Sequence, residues 1–330
     1  MITPEKILVC GLGSMGKRRI RLIQSLFPDI EIWGTDRRAD RCAQTKELFH
    51  IRVEKDYFKA VSTLQPEAVF VCTAPLAHSD LVICALEHKA HTFSEINLTA
   101  NRYEHIINTA QKNNRIAFLS STFLFREEIR WIIEKVKACQ NIGYRYHVGQ
   151  YLPDWHPWEG YTEFFVANKQ TSACKEIMAI EFPWITRAFG NVKHVKVMKN
   201  RSSDLELDYE DSFHILCEHE NGTCGTLSID CVCVRGVRKL EVYSDQLYLE
   251  WEGTPDSLKL YSQKTKQMVL VPCYEHIEKN EDYAQFVIEN PYINEIQAFF
   301  SLIAGKTQSN QPYGYQEDLK VINLIEDIHR

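Results

Sequence analysis

The sequence has no CxxC pair, no basic excess, no internal repeat, no low-complexity linker and no long unbroken apolar run. A helical membrane span needs roughly 20 consecutive apolar residues, and no stretch approaches that length. The chain carries 38 Lys and Arg against 44 Asp and Glu, a formal net charge of −6. With both signs interspersed, it offers no positive field to hold a nucleic acid. The opening residues, MITPEKILVC, run straight into strand-like sequence. They lack the charged segment and apolar core of an export signal, so the expected location is the cytoplasm. The eleven cysteines sit mostly alone in apolar stretches, as at Cys10, Cys72, Cys84 and Cys217. Cys231 and Cys233 stand two apart, yet no second pair or histidine cluster completes a zinc set. Reduced, buried thiols and no metal site are therefore expected.

What is present is enough apolar residue for a substantial core: 330 residues, 45% hydrophobic, a length that suggests two domains. Up to residue 122, strands and helices alternate. KILVCGLG (6–13) leads into a helical stretch at 14–27, and EIWGTD (31–36) into another at about 39–49. EAVFVCTA (67–74), HTFSE (91–95) and RIAFLSS (115–121) are further strands, with helices at 79–90 and 100–113 between them. EAVFVCTA is almost wholly apolar, as a strand covered on both faces must be. That alternation predicts a doubly wound parallel sheet.

Beyond about residue 140 the pattern changes. A strand at 144–152 is followed by an aromatic, proline-rich loop, PDWHPWEGY (153–161), and a helix near 173–189. From 192 to 272 strands and turns dominate, including an Asn-Gly hairpin signal at 221–222, and helices at about 281–304 and 315–330 close the chain. The expected architecture is α/β: a Rossmann dinucleotide-binding domain over 1–122, then an α+β domain with a mostly antiparallel open sheet over 123–330. The last helix is free to pack back on the first domain.

The strongest chemical signal is Gly11-Leu12-Gly13-Ser14-Met15-Gly16, which closes the first strand and opens the first helix. Asp36 follows twenty residues after Gly16, at the end of the second strand. In that setting GxGxxG is a dinucleotide fingerprint. Gly11 permits the tight turn, Gly13 the approach of a pyrophosphate, and Gly16 close helix–strand packing. The unpaired N–H groups at the helix start, around Ser14 and Met15, face the phosphate charge. Asp36 suits the adenosine ribose hydroxyls and repels a 2′-phosphate, which favours NAD; Arg37 and Arg38 leave NADP open.

At this point the chain resembles the Gfo/Idh/MocA oxidoreductases over essentially its whole length. The residues that carry the likeness are GLGSMGKRRI, GTD, VFVCTAPLAHSDLVICALEHKAHTFSEINLTAN, DSFHILCEHENGTCGTLSIDC and NEIQAFFSLIAGK…YGYQEDLKVINLI. The resemblance implies NAD(P)-dependent oxidation or reduction of sugars, inositols and related polyols. It also implies a homodimer or homotetramer formed through the open sheet. YHVGQYLPDWHPWEGY looks like a branch associated with acetamido-sugar and nonulosonic-acid pathways. Thr73, Pro75 and His78 match the family's TPxxxH segment beside the nicotinamide, and Glu95 matches an acid that contacts the cofactor, with Asn97 close by.

Two family motifs are altered. Where the resemblance implies Glu-Lys-Pro, this chain reads Glu95-Ile96-Asn97. Where it implies Asp-x-Gly-x-His, counting back from Gly190 places Glu176, Met178 and Ile180. The usual proton-transferring lysine and histidine are both isoleucines.

A replacement is expected from the second domain. His156 heads the candidates because imidazole titrates near neutrality, although a packing histidine between Trp155 and Trp158 is an equal reading. Glu181 is an acid among IMAI and FPWI, whose plainer reading is a salt bridge to Arg187. Tyr151 could donate a proton or stack on a sugar. Gln150, Trp155, Trp158, Tyr161 and Glu176 are the candidate substrate contacts, with aromatics in a domain junction equally able to be core. Arg235 and Arg238 could meet an anion from the sheet, though exposed strand arginines usually only solvate.

Three functions compete. The first is an NAD(P)-dependent oxidoreductase acting on a sugar-like CH–OH with a relocated acid/base. The second is an imine or C=C reductase that needs little help with protons. The third is a catalytically silent NAD(P)-binding sensor or partner subunit.

Overall fold

The computed structural model describes residues 3–155, 160–280, 287–306 and 312–330. The chain divides into two units, one of 1–122 with 292–322, the other of 123–291 with 323–330.

The first unit alternates β1 (Lys6–Cys10), α1 (Ser14–Leu26), β2 (Glu31–Thr35), α2 (Ala39–Phe49), β3 (Arg52–Glu54), α3 (Tyr57–Leu64), β4 (Ala68–Val71), α4 (His78–Glu87), β5 (His91–Ser94), α5 (Tyr103–Asn113) and β6 (Ala117–Leu119). The strands form one parallel sheet in the order β3-β2-β1-β4-β5-β6. The order reverses between β1 and β4, and a crevice at such a reversal, outside the carboxyl ends of the strands, is where open α/β sheets bind ligands. Every residue of β4 is buried, which accounts for its unbroken apolar run. Short helices are stopped locally: Asp56 caps α3 by accepting from Lys59 N at 3.0 Å, and Gln65 ends it in the left-handed conformation.

The second unit contains α6 (Glu127–Lys137), β7 (Gly143–Gly149), α7 (Ala173–Phe189), β8 (Val192–Asn200), β9 (Ser212–His219), β10 (Cys224–Asp230), β11 (Val237–Tyr243), β12 (Tyr248–Trp251), β13 (Lys259–Ser262) and β14 (Gln267–Leu270). Its sheet runs β14-β13-β12-β11-β7-β10-β9-β8, with β7 and β10 parallel and the other described pairs antiparallel. Burial alternates along β9: Phe213, Ile215 and Cys217 point inward, while His214, Leu216 and Glu218 stay exposed. The Asn-Gly turn joins β9 to β10, with Gly222 at φ +84°.

The chain closes with α8 (Asn290–Ile303) and α9 (Tyr315–His329). The sequence reading placed everything after 122 in the second domain and let only the last helix return. The structure groups 292–322 with the first unit, so most of α8 and the first half of α9 lie there, while 323–330 belong to the second. The cause is aromatic packing. Phe70, Phe93 and Phe118 stack across β4, β5 and β6 at 4.8 and 5.0 Å, and Phe299 of α8 meets Phe70 and Phe93 at 5.5 and 5.7 Å. The sequence reading also omits β3, α3 and α6. β3 is three residues long, too short for a period to show. α6 carries an inward stripe of Ile129, Ile132 and Val136 just beyond the last strand of the alternation.

Candidate active site

In the first unit the site is built around the turn from β1 to α1. Gly11 has φ +91°, and a Cβ there would lie 2.5 Å from the Cys72 carbonyl oxygen. A Cβ on Gly16 would lie 1.8 Å from the Gly11 carbonyl oxygen. No side chain fits either place. Gly13 differs: its open side meets only the guanidinium of Arg41, at 3.3 Å. Gly13 caps α1 without a side chain, and the first helical bond runs from Lys17 N to the Gly13 carbonyl at 3.0 Å. The N–H groups of the first turn are thus left to an outside acceptor, the arrangement that binds a pyrophosphate. Ser14 is exposed there and Met15 half-buried.

Asp36 stands beside this turn. Its Oδ2 accepts from Leu12 N at 2.8 Å and its Oδ1 from Arg38 N at 2.9 Å. A carboxylate has about four acceptor positions, so two remain for ribose hydroxyls. Arg38 is spent on Asp40, at 2.6 Å, and Arg37 is exposed. The fixed negative charge of Asp36 therefore dominates where a 2′-phosphate would sit. Asp36→Asn is expected to keep hydrogen bonding to NAD but to raise NADP affinity relative to NAD by roughly tenfold, about 1.4 kcal/mol. Dissociation constants of both nucleotides, followed by tryptophan fluorescence, check this.

At the ends of β4 and β5 the structure joins residues that the sequence left separate. Pro75 opens a short 3-10 turn and His78 is the first residue of α4. His78 is buried, and burial lowers its pKa, so the ring is neutral. Its Nε2 lies 2.8 Å from the Thr73 carbonyl, which can only accept, so Nε2 carries the proton. Nδ1 is then an acceptor, and the Asn97 amide oxygen drawn 2.8 Å away must give place to the amide NH2. His78 thereby pins the Thr73 turn to Asn97, and both its ring nitrogens are used inside the protein.

Glu95 also turns inward. It is buried and takes Arg19 of α1 at 2.7 Å, and Arg19 reaches Glu295 of α8 at 2.7 Å as well. Glu295 accepts further from Ser120 Oγ at 2.9 Å and Ser121 N at 2.8 Å. One buried cation with two buried carboxylates ties the glycine-turn helix to the ends of β5 and β6. Nothing in the sequence singles out Arg19 or Glu295, because each looks like an ordinary charged helix residue until its partner is known.

In the second unit the candidate residues lie at the carboxyl end of β7 and on α7. Gln150 N donates to the Asp230 carbonyl at 3.2 Å, and Tyr151 is half-buried just beyond. Trp155 Nε1 is shut from solvent with no partner among the described residues. The Tyr161 hydroxyl accepts from Glu206 N at 3.2 Å. His156 and Trp158 lie outside the described residues.

Glu181 is fully buried, and its ion pair is made with Arg238 of β11, not with Arg187 as the sequence suggested. Arg238 donates to Oε1 from Nε at 3.0 Å and Nη2 at 2.8 Å, while Tyr146 Oη and Trp184 Nε1 donate to Oε2 at 2.7 Å each. Four donors meet its two oxygens; burial pulls the Arg238 pKa down, and Glu181 beside it more than offsets that and raises it. Arg238 is thus no solvated strand arginine; a residue 57 positions away in sequence claims it. Glu176, by contrast, has an Oε2 that is shut from solvent and meets no partner among the described residues.

The glycine turn, the free N–H groups and the tethered Asp36 define an NAD-binding Rossmann protein. Residues 5–121 match the sequence profile of the Gfo/Idh/MocA oxidoreductases, in their NAD-binding Rossmann fold. A myo-inositol 2-dehydrogenase of Thermotoga maritima is 27% identical over 135 residues, a stretch that spans 40% of this chain and 40% of that protein. The fold extends further. The structure of GenD2 from gentamicin A biosynthesis, in complex with NAD, matches 99% of this chain and 93% of its own at a TM-score of 0.78 and 14% identity. The UDP-N-acetylglucosamine 3-dehydrogenase GnnA of Acidithiobacillus ferrooxidans matches 100% of this chain and 97% of its own at a TM-score of 0.75 and 13% identity. At such identities the likeness is one of fold.

Proposed function

We propose that this protein is an NAD(P)-dependent oxidoreductase that moves a hydride to or from a CH–OH carbon of a sugar, acetamido-sugar or related polyol. The observation that carries the reading is the side-chain-free cradle at Gly11 and Gly16, closing onto α1 with Asp36 tethered beside it. Gly11, Gly13 and Gly16 with the first N–H groups of α1 would hold the pyrophosphate, and Asp36 the ribose. Thr73, Pro75 and Asn97, locked by His78, would border the nicotinamide, with Glu95 fixing the strand end from within. The bound nucleotide supplies the hydride acceptor. The substrate class is supported by the inositol and UDP-N-acetylglucosamine dehydrogenases that this chain resembles in part of its sequence or in fold. Trp155 and Tyr161 suit stacking on a sugar ring. The open sheet, with Met198 and Leu216 exposed, would serve a homodimer or homotetramer.

The proton must come from groups other than Ile96 and Ile180. Glu181 is poorly suited, since four donors already occupy its two oxygens. Incubation with NAD and a panel containing myo-inositol and UDP-N-acetylglucosamine, followed at the NADH absorbance band, tests the reading. Turnover of at least one CH–OH substrate is expected. The half-buried aliphatic Ile96 favours a second reading, reduction of an imine or conjugated C=C with NAD(P)H. Consumption of NADPH with such substrates, and none of the alcohols oxidised, would replace the first reading by the second. Tight nucleotide binding with no turnover of either kind would make the protein a silent sensor.

A further inference from the structure

On the open face of the second unit's sheet, three tyrosines stand in one row. The register sets Tyr243 of β11 opposite Tyr248 of β12. It pairs Leu249 with Leu260 and Glu250 with Lys259, which sets Tyr248 opposite Tyr261 of β13. Directly opposed side chains on antiparallel strands have Cβ atoms roughly 4.5–5.5 Å apart, so the three rings are neighbours. Leu249 and Trp251 point to the other face and are fully buried, which backs the row with core. Tyr243 is exposed, and Tyr248 and Tyr261 are half-buried. One end of the row is closed. Tyr243 lies across Gly143 of β7, where a Cβ would come within 2.6 Å of the ring. The Arg145 guanidinium covers the same ring, 5.0 Å from its centroid, and is itself held by Glu241 at 3.2 Å.

Tyr248 and Tyr261 are the rings left available, and a cavity of about 380 Å³ opens beside them. Gln246, Gln263, Ser244 and Asp245 supply its polar wall. That volume falls within the roughly 300–1,000 Å³ of small-molecule sites, whose usual lining is aromatic rings with a few placed polar groups. The wall is fixed by its own hydrogen bonds. Ser244 Oγ accepts from Gln246 N at 3.1 Å and Leu247 N at 3.0 Å, which shapes the β11–β12 turn. Gln263 Nε2 donates to the Asp245 carbonyl at 3.4 Å and ties the end of β13 to that turn. Tyr248 Oη donates to Glu250 Oε1 at 2.7 Å, a bond that pushes the phenol up to about 12 and keeps it neutral. Among the described residues that line the cavity there is no Lys or Arg, so no cation there answers a phosphate or carboxylate. Ring faces beside amides, a hydroxyl and one carboxylate fit an uncharged ring with C–H groups on its face and hydroxyls around its edge. A pyranose is such a ring.

We propose that this cavity is a non-catalytic saccharide-binding site, in which Tyr261 and Tyr248 hold the apolar face of a pyranose ring and Gln263 and Gln246 its hydroxyls. The site uses none of the residues considered above for hydride or proton transfer, and it stands whether or not the oxidoreductase reading does. Binding alone takes place there, with no bond made or broken. Met198 and Leu216, offered above to a second copy, lie on β8 and β9, and β7 and β10 separate those strands from β11–β13 in the sheet order. Both surfaces can therefore be used at once. Stacking on two rings and a few hydrogen bonds must offset the lost freedom of the ligand, so the dissociation constant is expected on the order of 1 mM.

Saturation-transfer NMR on the full chain tests this, with cellobiose and N-acetylglucosamine as probes and adenosine as the control. Transfer to the ring C–H protons of at least one saccharide is expected, and none to adenosine that depends on Tyr261. Tyr261→Ala should weaken saccharide binding by roughly tenfold or more, the loss of one principal stacking contact. Tyr261→Trp should keep it, because the ring face is retained. Gln263→Ala should weaken it by about threefold or more; its side chain is exposed, so this variant keeps the fold and the test stands even where Tyr261→Ala does not fold. No transfer to either saccharide at about 50 mM, some fifty times the expected constant, would overturn the proposal. Saccharide binding left unchanged by both Tyr261→Ala and Gln263→Ala belongs to another site and would overturn it too. Adenosine bound as well as the saccharides, and lost in the same variants, would make the row a platform for flat aromatic rings and remove the saccharide assignment. Light scattering covers the remaining outcome: an oligomer dispersed by Tyr261→Ala, with no saccharide bound by wild type, would make the row an interface between copies.

Discussion

Arg19→Met is expected to destabilise the first unit by about 3–5 kcal/mol, because it removes the only cation among the described residues that pairs with the two buried carboxylates Glu95 and Glu295. Arg19 has no exposed surface, and its guanidinium also lies over the Phe93 ring, 4.5 Å from the centroid. Methionine keeps most of the packing volume, so the loss should report charge and hydrogen bonds more than a cavity. Burial already raises the Glu295 pKa, and Arg19 is the main group opposing that rise. Without it the carboxyl moves higher still. A raised folded pKa means stability that is full below the unfolded value and lost as pH climbs. The variant should accordingly lie closest to wild type near pH 5 and furthest from it near pH 8. Adding Glu295→Gln should recover part of the loss, since one uncompensated charge is removed. Urea denaturation at both pH values measures all three quantities; equal loss at pH 5 and pH 8 would show that charge is not the cause.

Gly16→Ala should eliminate measurable nucleotide binding, with affinity lowered by roughly 100-fold or more, about 2.7 kcal/mol. The new Cβ would fall 1.8 Å from the Gly11 carbonyl oxygen, a backbone atom that cannot swing aside. Either α1 must lift away from the turn or the turn must open, and both motions move the N–H groups that meet the pyrophosphate. Gly222→Ala is the natural control. It sits at φ +84° in the β9–β10 hairpin with open space around it, so the cost is conformational alone, of order 1 kcal/mol. Nucleotide affinity should be untouched there. Titration of both variants with NAD distinguishes a steric from a merely conformational requirement for glycine.

Much of this molecule is legible in one dimension. The parallel sheet follows from apolar runs spaced by helical periods. The nucleotide cradle follows from three glycines and an acid at fixed offsets, because a turn that admits no Cβ leaves its mark on the residue itself. The helix at Ala173–Phe189 is likewise read where it lies, with Pro183 inside it. These features are local, and local conformation is written in neighbouring residues.

Partnership is not local. In sequence Glu181 reads slightly better as a salt-bridge partner, with Arg187 six residues on, than as a residue with a task; only the sheet register that brings β11 beside β7 gives it Arg238. Arg19 and Glu295 lie 276 positions apart, and no spacing rule connects them. The return of 292–322 to the first unit rests on Phe299 meeting the phenylalanines of β4 and β5, which composition alone cannot announce. The bonds from His78 to the Thr73 carbonyl and to Asn97 likewise join positions that only the fold brings together. The sequence by itself determined the sheet, the cradle and the absence of acid/base groups at Ile96 and Ile180. The tertiary structure decided which of the remaining acids is neutralised and which is left unpaired: Glu181 has four donors and Glu176 Oε2 none among the described residues. The reason is that a carboxylate's chemistry is set by burial and by the donors around it, and both come from distant parts of the chain.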